Sequence, residues 1–424
     1  MKTFKLFFLI FLFPLFLQAQ DYDSWFLNKS LRVDFYLTGN DQHTSGILAQ
    51  LKEEPYWGGP RKNRIDSLNY GNYRILVFDS ASAKLLYSKG FCNLYGEWQT
   101  TDEAKKRNSV FYHAFQIPYP KKAVRFVVEE RKRDGSYNQV LETLIDPANY
   151  FIHKEKVPPY KVEDIQVKGN PENKIDIAIL AEGYTEAQMG KFVKDTRRLV
   201  NYLFTIPPFD KLKNCFNIYA VKTPSVQSGT DIPGEGIYRN TIFNSSFYTF
   251  DTSRYLTVSD MKSVTDAAAC VPYDQLYVLV NSDRYGGGGF FNFITVSTVD
   301  HELSDKVFVH EFGHGFGGLA DEYYESSTSY NDFYNLKIEP WEPNITTLVD
   351  FQKKWASMIG KDIPIPTPRT DKYKDVIGVF EGGGYSEKGI YSPAEDCRMK
   401  SNVPAGFCPV CTRAIEQMIK NLTE

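Results

Sequence analysis

The chain has 424 residues, 42% hydrophobic and 15% aromatic, a composition that excludes a disordered or low-complexity protein. Its formal net charge of -3 provides no basic field, so no nucleic-acid partner is expected. The length exceeds what one hydrophobic core usually organises and points to two or three domains.

Residues 1–20 open with Lys2 and Lys5, run through the apolar stretch Leu6 to Leu17 and end in Leu17-Gln18-Ala19-Gln20, the pattern of a secretory signal peptide. The apolar run is too short for a comfortable membrane span and its downstream flank, Asp21-Tyr22-Asp23, is acidic. The expectation is a protein that is secreted, periplasmic or held at the cell surface, with no stable membrane insertion after signal removal. Export permits disulfides, and the six cysteines (Cys92, Cys215, Cys270, Cys397, Cys408, Cys411) are expected to form some bridges.

From Leu31 to about Phe151 come short β-branched and aromatic runs, among them Leu31 to Thr38, Tyr73 to Phe78 and Ala123 to Val128, separated by turn signals such as Gly59-Pro60 and Asp134-Gly135. They predict an all-β sandwich over residues 21–156. Val157-Pro158-Pro159-Tyr160 is a stiff connector, and residues 157–163 are read as a linker.

Residues 164–424 change character. An apolar strand at Lys174 to Leu180 precedes Thr185 and Gln188, a capping box that opens a helix to about Leu203. Strands at Phe216 to Val221, Gln275 to Val280 and Phe290 to Val296, with a helix near Ser259 to Ala269, predict an α/β domain with a mixed sheet. The glycine run Gly286 to Gly289 lacks the Lys-Ser/Thr of a phosphate loop and reads as a turn.

The chemistry is concentrated at His310-Glu311-Phe312-Gly313-His314. Ser304 is expected to cap a helix buried through Val307, Phe308, Val309, Phe312 and Phe316, with Asp305 suiting its positive end. Two histidines four residues apart share a helix face and reach one zinc ion from adjacent turns. Glu311, one residue round, is placed to act as general base on a metal-bound water that attacks a scissile amide carbonyl. The chain is therefore expected to be a zinc-dependent endopeptidase with one catalytic Zn2+ and protein or peptide substrates.

His310-Glu-Phe-Gly-His-Gly-Phe-Gly-Gly-Leu-Ala-Asp-Glu-Tyr323, with Cys397-Arg-Met399 and Phe407-Cys-Pro-Val-Cys411 downstream, resembles the metzincin-like zincins. It is most similar to the IgA-peptidase family of secreted bacterial zinc metallopeptidases, which pair a β-rich N-terminal domain with a zincin-like catalytic domain. The resemblance implies immunoglobulin or other host or extracellular proteins as substrates. It also implies that Met399 forms a methionine turn beneath the metal ligands and that the strand Phe290 to Val296 is the sheet edge that pairs with an extended substrate, with Phe290 to Phe293 shaping a side-chain pocket.

In one respect the chain departs from metzincins, which place a third ligand six residues after the second histidine, where this chain has Ala320. If Gly318 makes the left-handed turn that ends the helix, Asp321 lies three residues beyond it and becomes the third ligand, with Glu322 the alternative. Tyr323 and Tyr324 stand next to it without an assigned role. Cys408-Pro-Val-Cys411 has redox or metal spacing, but no second cysteine pair or nearby histidine completes a structural zinc site, so disulfides to Cys397 or elsewhere are expected. His43, His113, His153 and His301 are expected to be solvent-facing or hydrogen-bonded. Two competing readings are a surface carbohydrate- or protein-binding protein with a vestigial metal site, against which intact Glu311 argues, and hydrolysis of a non-peptide amide such as a cell-wall fragment.

Overall fold

The computed structural model describes residues 22–156, 160–324 and 333–424. Residues 1–21, which include the expected signal peptide, 157–159 of the expected linker and 325–332 lie outside the described residues.

A helical turn, α1 (Tyr22–Trp25), leads into β1 (Phe26–Gly39), which lies between β2 (Thr44–Glu54) and β5 (Ser109–Pro120). A second sheet joins β3 (Tyr73–Asp79), β4 (Leu85–Phe91), β6 (Val124–Arg131) and β7 (Tyr137–Ile145) in the order β4-β3-β6-β7, and every pairing in both sheets is antiparallel. One short helix, α2 (Leu94–Trp98), interrupts the strands. Period-two alternation puts Leu31, Val33, Phe35 and Leu37 of β1 on one buried face. Ring centroids of Phe35 and Phe126 lie 6.2 Å apart and those of Phe91 and Phe115 4.3 Å apart, so the two sheets pack face to face. Each such side chain, fully buried, contributes roughly 1.5–3 kcal/mol.

At Ser30, Arg32 and Asp34 the opposite face of β1 is also buried, which an antiparallel sheet open to water would not show. Arg32 there donates to Asp34 (2.8 Å), Glu54 (2.9 Å) and Asp266 (2.8 Å), and Lys52 donates to Asp266 (2.7 Å). Asp266 sits in the C-terminal region, on the helix Met261–Ala268. A buried guanidinium is tolerated because its charge is matched by carboxylates that also accept its hydrogen bonds.

The C-terminal region is built on β8 (Lys161–Gln166), β9 (Ile175–Glu182), β10 (Phe216–Lys222), β13 (Gln275–Val280), β14 (Gly287–Phe290) and β15 (Ile294–Thr298), with a small ladder of β11 (Ser245–Ser246) and β12 (Thr257–Val258) to one side. The sheet order is β14-β15-β13-β9-β10-β8; the four central strands are parallel and both edges antiparallel. Every residue of β9 is buried, as befits a parallel strand covered on both faces. The expected capping box is present: Thr185 N donates to Gln188 Oε1 (2.9 Å) and the Thr185 side chain receives the Gln188 main-chain N–H, ahead of α3 (Met189–Leu203). Helices α3, α6 (Ser304–Gly315) and α7 (Pro409–Thr423), with the short α4 (Phe209–Leu212), share one core with Ile177, Ile179 and Leu279 of the sheet.

The other face of the sheet belongs to a core that continues without a break into the N-terminal sheets, joining Leu180, Val278 and Val296 to Val33, Phe115 and Phe126. Helix α5 (Met261–Ala268), capped by Asp260 Oδ1 receiving Ser263 N at 2.9 Å, lies between the two regions. The segment 333–424 is mostly irregular and carries one hairpin, β16 (Phe380–Gly383) and β17 (Ser386–Ser392).

Several expectations need correction. The glycine run is not a turn but most of edge strand β14. The expected strand Phe290 to Val296 is interrupted where Asn292 adopts φ 53°, so the sheet edge is β14 and not that segment. Ser304 does not cap α6; it is the first helical residue, and its own N donates to His301 O (2.9 Å). None of the six cysteines is bridged: Cys92, Cys215 and Cys270 are dispersed, while Cys397, Cys408 and Cys411 gather around Glu322.

Candidate metal centre and cleft

The apolar residues of α6 face the sheet and α3, which leaves His310 and His314 on a common side one turn apart. The helix ends where Gly317 N donates to Gly313 O (3.1 Å), Gly318 N to His314 O (3.1 Å) and Leu319 N back to Gly313 O (3.2 Å). Gly318 has φ 62°, the left-handed conformation that glycine adopts most readily. The reversal carries Asp321 to the two imidazoles. His310 Nε2 and His314 Nε2 are 3.1 Å apart, and Asp321 Oδ1 lies 3.2 and 3.3 Å from them.

These separations fit one small cation: a tetrahedron with arms of about 2.0–2.1 Å has edges of about 3.3 Å. The outward nitrogens are fixed by carbonyls, His310 Nδ1 by Arg398 O (2.8 Å) and His314 Nδ1 by Leu319 O (2.6 Å), which aims both Nε2 atoms at the common point. Asp321 is 4% exposed and its Oδ1 has no hydrogen-bond partner, the mark of an acceptor reserved for something else. Burial opposes charge on His314, yet Asp321 and Glu311 raise its pKa to about 9; burial likewise opposes ionisation of Asp321, and the imidazoles hold it well below the carboxylate range.

Glu311 lines the same cleft as this set, with its side chain close against β14. Burial, with the Asp321 charge adding to it, raises its pKa, against the opposing pull of His310 and His314. The glycines of β14 are explained by this contact. A Cβ on Gly287 would stand 2.7 Å from Glu311 Cγ and Oε1, and one on Gly289 2.4 Å from the Glu311 carbonyl oxygen. On the other side of the strand, a Cβ on Gly288 would meet Leu256 O at 2.9 Å. Thr298 N donates to Gly286 O (3.2 Å), so Gly286 and Gly288 present their main-chain groups to β15 while Gly287 and Gly289 turn theirs outward. Leu256 N reaches Gly287 O at 3.4 Å, and the open part of the edge begins at Gly289. A cleft of about 1740 Å³, open to solvent, runs along this edge past His310, Glu311, His314 and Asp321.

Two family profiles cover most of the chain: IgA Peptidase M64 matches residues 163–375 and 369–419, and Peptidase M64 N-terminus matches residues 21–142. The chain belongs to the IgA peptidase M64 family. No curated protein matches it. A member of this family is a peptidase, with proteins or peptides as substrates, and among the described residues no helix is long and apolar enough to cross a membrane.

In this M64 peptidase the two carboxylates left open by the sequence part company. Asp321 joins the histidines; Glu322 turns the other way, its Oε1 accepting from Asn344 Nδ2 (2.9 Å) and Cys411 Sγ (3.0 Å). Met399 is fully buried under α6, where a Cβ on Gly313 would lie 2.6 Å from its sulfur. Phe290 to Phe293 shape no pocket in the cleft: Phe293 stacks on Phe115 (5.2 Å) and His113 (5.5 Å) of the N-terminal sheets, and Phe291 packs on Tyr70 (6.1 Å). His301 Nδ1 accepts Leu303 N (3.1 Å), and His113 is buried.

Three participants were not found from the sequence. Tyr385, at the turn of the β16–β17 hairpin, donates to Asp321 Oδ2 (2.5 Å) and packs against Tyr323 at 5.5 Å. Arg254 lines the cleft with its guanidinium 5.9 Å from the Tyr323 ring. Glu97 of α2 receives the Tyr255 hydroxyl, so the N-terminal region forms part of the cleft wall. None of the three lies in a motif, and no local sequence signal marks them.

Proposed function

We propose that this peptidase is a secreted zinc-dependent endopeptidase in which His310, His314 and Asp321 hold the metal and Glu311 is the general base. The observation that carries the reading is the convergence of two imidazole nitrogens and an otherwise unpartnered carboxylate oxygen at 3.1–3.3 Å. Two imidazoles and one carboxylate with an open fourth position are the donor chemistry of catalytic zinc, and we read the whole as a β-sandwich followed by a metzincin-like catalytic domain whose sheet already includes residues 161–163 of the expected linker, in β8. Bound zinc supplies Lewis-acid polarisation of the scissile carbonyl and acidifies a coordinated water.

Glu311 takes the proton of the attacking water and hands it to the amide nitrogen as the carbon–nitrogen bond breaks. Tyr385 steadies Asp321, and the Arg398 and Leu319 carbonyls orient the imidazoles. The outward main-chain groups of Gly289 accept an extended substrate chain, which favours recognition by backbone over side-chain identity. Host immunoglobulins and other extracellular proteins are the substrate class this reading nominates.

The test compares metal-loaded residues 21–424 with the Glu311→Ala variant on a diverse peptide mixture, with cleavage read by mass spectrometry. Cuts made only by the unmutated protein are expected. Equal cutting by both would overturn the mechanism.

A further inference from the structure

Behind the His310, His314 and Asp321 cluster lies a second convergence of donors. Glu322, Cys397, Cys408 and Cys411 each place one ligand atom within 4.8 Å of the others. All four are buried, at 0, 1, 6 and 0% exposure. The Cys397 and Cys411 sulfurs are 3.8 Å apart. That is nearly twice a disulfide bond of about 2.05 Å. It equals the edge, about 3.8 Å, of a tetrahedron with zinc–sulfur arms of about 2.3 Å.

Two main-chain N–H groups donate to sulfurs of the cluster. Cys408 caps the first turn of α7, with Cys411 N donating to its sulfur (3.5 Å), and Cys408 N donates to Cys397 Sγ (3.2 Å). Glu322 Oε1 accepts from Asn344 Nδ2 (2.9 Å) and Cys411 Sγ (3.0 Å), and Oε2 is buried with no partner. A fully buried carboxyl among three thiols, with one oxygen unpartnered, is a group that a cation would satisfy.

We propose that Glu322, Cys397, Cys408 and Cys411 bind a second zinc ion, a closed four-ligand structural site that ties the catalytic loops together. Thiolate donors select zinc over the hard cations, and four protein ligands leave no position for substrate. Glu322 directly follows Asp321, and its N donates to Met399 O (2.8 Å). Cys397 directly precedes Arg398, whose carbonyl orients His310. Closing this site therefore fixes both the segment that delivers Asp321 and the turn that positions His310.

The test uses the mature chain loaded with Zn2+ or Co2+. Elemental analysis should find about two zinc equivalents in the unmutated protein and about one in each of two variants, His310→Ala/His314→Ala and Cys408→Ser/Cys411→Ser. Cobalt should give a sulfur-to-metal charge-transfer band in the unmutated protein and in the histidine variant, and none in the cysteine variant. A centre of only nitrogen and oxygen donors gives no such band, so failure of the catalytic assignment leaves this signature intact. Thiol titration of the unmutated protein, denatured with chelator, should count all six cysteines. A count of four, marking a disulfide, overturns the proposal, as does cobalt-loaded protein without the band. Both readouts stand on the unmutated chain even where the cysteine variant does not fold.

Discussion

Replacing Gly287 with alanine is the sharpest test of how β14 positions the base. The new Cβ would lie 2.7 Å from Glu311 Cγ and Oε1 and 2.9 Å from Cδ. Ordinary carbon contacts begin near 3.4 Å, so the carboxyl end must retreat by about 0.7 Å, a shift that a side-chain terminus makes at small cost to the fold. For the reaction the cost is large. Displacement of a reacting group by about 1 Å is worth on the order of 100-fold in rate, about 2.7 kcal/mol. Gly287→Ala should therefore lose roughly 30- to 100-fold in kcat while keeping its metal content and melting temperature near those of the unmutated protein. Gly289→Ala is the contrasting case, because its Cβ meets the Glu311 carbonyl oxygen at 2.4 Å, main chain that cannot yield, and the protein should be destabilised. Peptide-cleavage kinetics, elemental analysis and thermal melts on the pair decide the matter. A Gly287→Ala variant with kcat within about threefold of normal, or one that loses metal, would refute the reasoning.

Asp321→Ala should abolish both metal retention and cleavage, because two histidines alone form a poor catalytic site; metal analysis showing full retention would move the third ligand elsewhere. Tyr385→Phe removes the 2.5 Å hydrogen bond to Asp321 and nothing from the metal's own shell. It should weaken zinc affinity by about 10- to 100-fold with the fold unchanged, as read by competition with a chelating dye. His113 is buried between Phe35 and Phe293, and burial lowers its pKa to about 3. Since the unfolded imidazole titrates near pH 6.5, the unfolded state binds the extra proton between about pH 6.5 and 3, and stability should fall with decreasing pH there by up to about 1.4 kcal/mol per unit. His113→Phe should flatten that limb in urea melts across the range, and an unchanged slope would show that His113 is not its source.

What the sequence disclosed was local. The histidine pair of α6, the left-handed Gly318 and Asp321 all lie within twelve residues, where helix period and glycine conformation determine geometry. Strands β1, β3, β6, β9, β10 and β13 were legible from β-branched and apolar runs, whereas the start of β8 was read as linker. Strand β14 was not, because glycine has low strand propensity; its composition is set by how closely α6 and the segment 254–256 press on it. Phe290 to Phe293 looked like strand because aromatic runs do, although their rings serve the packing between the two regions. Tyr385 reaches Asp321 across 64 residues and Cys411 reaches Glu322 across 89, separations at which spacing carries no information. Counting cysteines in pairs also hid their arrangement, since three thiols were waiting for a carboxylate and not for one another.

The continuous core has a consequence for how the chain must assemble. Arg32 finds Asp266 across 234 residues, and the aromatic stack of Phe115 is completed only by Phe293. The first half of the polypeptide therefore cannot finish its interior until most of the second half is available, so early in synthesis its sheets carry bare apolar surface and a guanidinium short of one counter-ion. Contacts of such long range slow folding and expose intermediates to aggregation. The N-terminal region is thus less an appendage to the peptidase than a portion of its scaffold that happens to be made first.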